Sequence, residues 1–312
     1  MMKRDKLCRD DESRNRSAVL QDAAEARQLS GLSGAEVFLM TKDGRHWFVR
    51  KAAREPSASA RLRGQAQKQA AFDREMKDII STPQILDEGE VEGRFFFDME
   101  FVRGPDGTSY LRRASYAEVA QFTDRLCEYL TTVAGKPALP GGRHQSLFDA
   151  LYSKICEVDR NTRLISTENL SRLFLALDRV RKLGELQSTL CHGDLTLQNM
   201  VIGDEGKIWV VDLLDAPFEH YWQDVAKLHQ DLSGGWFLLD HPSVAQCVLD
   251  FIGRRLLDTA ARLHAGYPSL HALLVASTFV RILPYARTQA ERDFVTERID
   301  FFARLSIEPR GS

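Results

Sequence analysis

The 312-residue sequence is poor in cysteine. Its five, Cys8, Cys127, Cys156, Cys191 and Cys247, are odd in number, widely spaced and never in a CxxC pair, which argues against a disulfide framework and a thiolate zinc site. No apolar run approaches the ~18 residues a membrane span requires. The N-terminal stretch MMKRDKLCRDDESRNR is charged without an apolar segment, so no signal peptide is expected and a cytoplasmic location is. Excess positive charge is missing as well: 42 Lys and Arg face 44 Asp and Glu, for a formal net charge of -2. That balance disfavours a nucleic-acid backbone or an anionic membrane as partner. No repeat or low-complexity tract interrupts the chain. With 44% hydrophobic and 28% charged residues, it reads as a globular protein large enough for two lobes, its oligomeric state unspecified.

Residues 1–16 are mixed in charge and nearly devoid of apolar side chains, so they are expected to be mobile and to carry no function. The spacing in SAVLQDAAEARQLS, 17–30, predicts an amphipathic helix. Val37–Met40 and His46–Lys51 then flank Lys42-Asp-Gly44, a hairpin signature. A helix is expected from Ser57 to about Ile80, stopped by Pro83, and strands at 84–86 and 95–102 close at Gly104-Pro105. Residues 17–104 thus form a β-rich unit with one main helix, and 105–312 a larger, mainly helical unit. One β interruption in the second unit, 188–212, carries a hairpin around Gly203-Asp-Glu-Gly206.

That interruption holds the densest chemistry: His192-Gly-Asp194, Asn199, and Asp212 at the end of the next strand. A hairpin of 200–202 with 207–211 brings Asn199 and Asp212 together at its open end. An amide oxygen beside a carboxylate suits Mg²⁺, which takes few protein ligands together with water and phosphate. Asp194, on the connecting loop, is placed to accept a hydroxyl proton. Each residue alone is an ordinary turn residue; it is the joint pattern HxDxxxxN with a strand-ending Asp that points to a site.

His192-Gly-Asp-Leu-Thr-Leu-Gln-Asn199 with Val210-Val-Asp212 resembles the aminoglycoside phosphotransferase and choline kinase superfamily. Gly31-Leu-Ser-Gly-Ala-Glu-Val-Phe38 looks like the phosphate-covering loop of the same superfamily. The resemblance implies an α+β, bilobal, protein-kinase-like fold. It implies an ATP- and Mg²⁺-dependent small-molecule kinase, with ATP or another nucleoside triphosphate as donor. Asp194 becomes the catalytic base and Asn199 and Asp212 the metal ligands. The backbone of Gly31, Ser33, Gly34 and Ala35 covers the phosphates, Lys51 neutralises them, and the Glu100 and Val102 backbone at a hinge, 99–104, meets the adenine. Strand alternation puts Lys51 on the face of Val49 and Arg50 on that of Phe48. His192 is expected to brace the loop, and Asp224 of Asp224-Val-Ala-Lys227 to be structural.

Two departures stand out. The helix after Lys51 should offer it a glutamate, and the position that fits is Gln67, with Glu55 and Glu75 as stand-ins at the wrong spacing. Leu213-Leu214 follow Asp212 where protein kinases have Phe-Gly, and no Ala-Pro-Glu segment is present, so a protein substrate is not expected. For the acceptor, Arg281, Tyr285 and Arg287 are candidates in the helical lobe. The first 104 residues carry 19 basic and 18 acidic side chains, the remainder 23 and 26. A lobe built for a polycation should be more acidic than that. Only Trp222 and Trp236 offer material for a quaternary-ammonium box. The expected acceptor is a neutral or mildly anionic hydroxyl compound such as a sugar or polyol, and the sequence also resembles uncharacterised members from surface-polysaccharide pathways. The alternatives are an aminoglycoside or choline-type kinase and, in another class, an ATP-binding pseudokinase or scaffold.

Overall fold

The computed structural model describes residues 20, 23–29, 35–139, 146–183, 186–216, 218–239 and 244–308. The expectation for residues 1–16 lies outside them. The described chain divides into two units, the first running to Arg103 apart from Asp78–Ile80 and the second from Gly104 with that short segment. No helix among the described residues is long and apolar enough to cross a membrane.

The first unit is a five-stranded antiparallel sheet in the order β1-β2-β3-β5-β4, with β1 Glu25–Leu29, β2 Ala35–Thr41, β3 Trp47–Ala53, β4 Ile85–Val91 and β5 Arg94–Glu100. Helix α1, Ser59–Met76, lies on one face, burying Leu62 and Ala66 with Val49, Ala53, Phe95, Phe97 and Met99. Phe38, Met40, Phe48, Ala52 and Phe96 pack on the other face. The amphipathic helix expected over 17–30 is corrected in its described part: 25–29 is an edge strand, paired from Glu25 opposite Thr41 to Leu29 opposite Val37. Helix propensity amounts to a few tenths of a kcal/mol per residue, less than the hydrogen bonds the open edge of β2 provides. Strand β4 also extends beyond the expected 84–86, because Glu92 (φ 53°) and Gly93 (φ 74°) form a tight hairpin turn into β5 of the kind that suits strand twist.

The second unit contains α2 Gly107–Leu111, α3 Tyr116–Ala134, α4 Leu147–Thr162, α5 Thr167–Arg181, α6 Tyr221–Leu232, α7 Gln246–Leu263, α8 Tyr267–Ile282 and α9 Gln289–Ile307. Between α5 and α6 stands the hairpin of β6 Met200–Ile202 with β7 Ile208–Val210. The helix starts follow local signals: Ser115 and Thr288 close capping boxes, and Ser146 and Ser166 accept N–H bonds at their helices' first turns. Pro284 lies in a single 3-10 turn after α8, where the helix ends as a proline requires.

Candidate active site

Helix α6 is buried along its whole length, yet it carries three charged side chains at i, i+3 and i+7: Asp224, Lys227 and Asp231. That spacing puts them on one face, and each addresses a different part of the 192–199 loop. Asp224, fully buried, accepts from the backbone N–H groups of His192 and Gly193, both at 2.8 Å, and from the Tyr129 hydroxyl at 2.6 Å. Lys227 Nζ lies 2.9 Å from Asp194 Oδ1 and 2.8 Å from Gln230 Oε1. Asp231 Oδ2 accepts from the Leu197 N–H at 2.8 Å. A carboxylate buried with hydrogen-bond donors is tolerable, and one without them is costly. Asp224 with its three donors holds the loop, while burial pushes the Asp231 carboxyl up to about 7 against the Leu197 N–H and the Lys227 charge.

The loop has one conformation that fits. Gly193 has φ 90°, and a Cβ there would sit 2.1 Å from the Leu214 carbonyl oxygen, so glycine is required on both counts. The Leu214 N–H in turn donates to His192 O at 3.1 Å. His192 Nδ1 accepts from the Asp194 N–H at 3.2 Å while Nε2 lies 2.9 Å from Val211 O, which assigns a neutral ring with its proton on Nε2. His192 therefore ties the loop to the end of β7 rather than facing a substrate.

Asn199 Nδ2 donates to the Asp194 carbonyl at 2.8 Å and to Asp194 Oδ2 at 3.2 Å. Its donor is thus committed toward Asp194, which leaves the amide oxygen as the group it can offer elsewhere. The Val211 N–H donates to Asn199 O at 3.0 Å, next to the Met200–Val210 pair, so Asn199 and Asp212 flank the same end of the hairpin. Asp212 has φ 61°, a left-handed conformation of the kind that costs roughly 1 kcal/mol or more and recurs at functional positions. Burial raises the Asp194 carboxyl, but the charge and hydrogen bond of Lys227, with the charge of Arg281, hold it below its ordinary value. It stays ionised, able to accept a proton. No group of three or more His, Cys, Asp or Glu that could hold a metal occurs among the described residues. A pair of hard oxygens, one amide and one carboxylate, fits a cation that draws its other ligands from phosphate and water.

In the first unit, Lys51 is buried and its Nζ donates to Gln65 Oε1 at 3.0 Å. Gln67, expected to face it, is instead exposed, and this is a correction of register. The helix begins only at Ser59, after a 3-10 turn over Pro56–Ala58, so counting turns from Lys51 misplaces its face. Residues two apart on a helix point ~200° apart. On the opposite sheet face Arg50 makes a two-pronged pair with Asp98, 2.7 Å on each prong, with its guanidinium 4.0 Å from the Phe96 ring. Ala35 is the buried first residue of β2. Gly31, Ser33 and Gly34 lie outside the described residues. The Glu100 N–H donates to Gln84 O at 2.9 Å, so Glu100 can offer a base only its carbonyl. Val102 follows just after β5, in a segment without regular secondary structure.

The acceptor candidates separate. Arg281 has a fully buried Nη1 with no partner. Tyr285 is 72% exposed, and Arg287 is exposed with its backbone N–H capping α9 through Glu291, so these two do not join a site with it. Trp222 is fully buried against the rings of His220, His264 and Tyr267, and Trp236 lies near Phe294. The two tryptophans, which could have contributed to an aromatic box, thus pack against different sets of rings. Sequence reasoning missed Gln65, Lys227 and Asp231. The signal was present in α6, a helix with an apolar stripe whose charged residues nevertheless repeat at helical spacing.

A model of the phosphotransferase enzyme family matches residues 25–273. Among solved structures, the chain is similar to a mutant of aminoglycoside phosphotransferase APH(4)-Ia in complex with AMP-PNP and hygromycin B: TM-score 0.66, 13% identity, 94% of this chain and 98% of that one covered. It is similar to ADP-bound aminoglycoside phosphotransferase APH(2'')-Ib, with TM-score 0.60, 14% identity and 96% and 99% covered. A fructosamine-3-kinase candidate from Thermobifida fusca gives TM-score 0.61, 13% identity and 95% and 98% covered. No curated protein matches the sequence. These likenesses show the kinase-like α+β fold, and with the family match spanning both units the chain belongs to the phosphotransferase enzyme family and transfers phosphate to a hydroxyl acceptor.

Proposed function

We propose that this enzyme transfers the γ-phosphate of ATP to the hydroxyl of a sugar or polyol, with Asp194 as the base. The observation that carries the reading is the anchored Asp194: its backbone is fixed by His192, one carboxylate oxygen by Lys227 and the other by Asn199. A base held from both sides can align an attacking hydroxyl without first reorganising, which is the main service a protein supplies in phosphoryl transfer. Asn199 and Asp212 would hold Mg²⁺, which when bound offsets phosphate charge. Lys51, oriented by Gln65, would hold phosphate oxygens, the glycine-rich segment ending at Ala35 would cover them, and the Glu100 carbonyl with the Val102 N–H would meet the adenine. The relatives crystallised with AMP-PNP or ADP support a nucleotide donor.

Three features favour a sugar or polyol over an aminoglycoside or a choline-like amine. Charge in the second unit is nearly balanced, Trp222 is sequestered in the core, and the cation nearest Asp194 is already supplied by Lys227. Retention of the base and both oxygen ligands disfavours the pseudokinase reading. The test is mass spectrometry of reactions with ATP, Mg²⁺ and panels of sugars, polyols, aminoglycosides and choline. Asp194→Asn should lower kcat by about 10² to 10⁴ with ATP affinity retained. Efficient transfer to aminoglycosides alone, or an unchanged kcat in Asp194→Asn, would overturn the proposal.

A further inference from the structure

Lys227 is a buried cation on a helix that is buried from Tyr221 to Leu232. Its ammonium has three N–H donors. One meets Asp194 Oδ1 at 2.9 Å and a second meets Gln230 Oε1 at 2.8 Å. The third has no acceptor among the described residues. Gln230 is buried as well and lies three residues further along the same helix face, where its neutral amide orients the ammonium without cancelling its charge. A lysine that served only to neutralise a carboxylate would need one partner. With two of its three tetrahedral N–H directions fixed, the direction of the remaining one is fixed too.

Asp194 keeps part of its side chain exposed, whereas Lys227 is almost covered. An acceptor hydroxyl must therefore come to Asp194 from that exposed side, at the hydrogen-bond distance of about 2.6–3.2 Å that a base requires. With Oδ1 only 2.9 Å from Nζ, a phosphorus joining that hydroxyl oxygen carries its own oxygens to within reach of the ammonium. We propose that Lys227 is a catalytic residue, whose remaining N–H bonds an oxygen of the phosphoryl group as it passes to the acceptor. This rests on the reading of Asp194 as the base. In the step, the acceptor oxygen forms a bond to the γ-phosphorus, the bond from that phosphorus to the β–γ bridging oxygen breaks with its electron pair leaving on ADP, and the hydroxyl proton goes to Asp194. Once the carboxylate holds that proton it no longer balances the ammonium, whose attraction then falls on the phosphoryl oxygens. The contact is stronger in the transition state than in the resting enzyme, which is the condition for lowering a barrier rather than tightening binding.

The test is a double-mutant cycle with Asp194, read as phosphate release from ATP and Mg²⁺ with water as acceptor and as transfer to any of the sugars, polyols, aminoglycosides or choline that the wild type phosphorylates. Removing one donor aimed at transition-state charge costs about 10²–10³ in kcat. Lys227→Met and Lys227→Gln should each lose that factor, and Lys227→Arg should regain about tenfold or more of it. Calorimetric affinity for AMP-PNP with Mg²⁺ should stay within about threefold in all three, the pattern of an interaction made only in the transition state. The deciding arm is the Asp194→Asn background, where Lys227→Gln should lower the residual kcat about tenfold or more again. No further loss there would make Lys227 a positioning residue that acts only through Asp194, and would overturn the proposal. A kcat near the wild type's in folded Lys227→Gln, or a loss confined to AMP-PNP affinity, would overturn it as well. Should Lys227→Met melt below the assay temperature, Lys227→Gln, which keeps a hydrogen bond to Asp194, still decides. Wild-type protein that neither hydrolyses ATP nor phosphorylates any compound would defeat the kinase reading and this inference with it, whereas wild-type turnover with unimpaired Lys227 variants would defeat this inference alone.

Discussion

Lys227→Met removes the cation that touches the candidate base and keeps the length of the side chain. The wild-type lysine is 7% exposed, and its partner's side chain is 24% exposed. Breaking a buried ion pair costs about 3–5 kcal/mol when the remaining charge stays buried and unmatched. Asp194 keeps Arg281 and some solvent, so the low end, about 3 kcal/mol, is expected near neutral pH. For a domain of this size that corresponds to a loss of about 6–12 °C in Tm. The pH dependence has a definite sign. In the wild type the folded Asp194 pKa lies below its unfolded value, so the pair stabilises above the ordinary carboxylate range and the contribution disappears as pH falls through the lowered value. In the variant the burial effect has less opposing it and the folded pKa rises, so ionised Asp194 now disfavours the folded state. The gap in Tm between the two proteins should be widest at neutral pH and close on acidification. The acidic limb of the kcat/KM profile should move to higher pH in Lys227→Met and return in Lys227→Arg. A gap in Tm that does not vary with pH, or a limb displaced toward lower pH, would refute the assignment of Lys227 as the group that keeps Asp194 ionised. The charged groups in play around Asp194 are Lys227, Arg281 and Asp231; the substitution removes the first, and the Asp231 carboxyl, no longer opposed by that charge, rises further.

Gln65→Leu removes the hydrogen-bond acceptor of a buried ammonium and should raise the KM for ATP about tenfold or more, while Gln67→Leu, on the exposed face, should stay within about twofold; kinetics on both variants would expose a wrong helix register if the order were reversed. Gly193→Ala drives a Cβ into the Leu214 carbonyl at a φ of 90° and should cost about 3 kcal/mol or more, with a matching fall in kcat, and a melting curve like the wild type's would contradict the fitted loop. Burial lowers His220 to about 3 and His229 to about 4, so between pH 6.5 and 4 the unfolded chain takes up protons that the folded one refuses and stability drops on acidification. Asp231, raised to about 7, works against this over much of the same window, because the folded chain keeps a proton that the unfolded one loses above the ordinary carboxylate value. In His220→Gln the share of His220, about 3 kcal/mol at pH 4, should vanish, so its Tm should fall less steeply below pH 6.5, and parallel curves would refute that share.

The fold and the candidate site differed in how far they could be read from the chain. The hairpin β6–β7 was legible because Gly203-Asp-Glu-Gly206 sits between two apolar triplets, and its pairing by itself brings Asn199 beside Asp212. The helices with serine or threonine caps were legible at their starts for a similarly local reason. Strand β1 was not, because its residues prefer a helix and only pairing with the edge of β2, from Leu29 opposite Val37 to Glu25 opposite Thr41, makes an extended conformation worthwhile. The partner of Lys51 was misread by two positions because a short 3-10 turn shifts the helix's start, and a shift that small turns a side chain to the opposite face.

The sequence by itself determined which groups are available: a candidate base, two oxygen-bearing side chains that a hairpin brings together, a strand-borne lysine, and glycines where the backbone must turn or come close. These are set by local chemistry, by spacing and by strand alternation, and none requires knowledge of distant contacts. Tertiary structure alone decided what surrounds them. It placed Lys227 and Asp231, three and seven residues beyond Asp224, against Asp194 and Leu197. Those relations depend on how α6 packs, and packing is settled by the shapes of the many apolar side chains buried around it, which no short window of sequence contains.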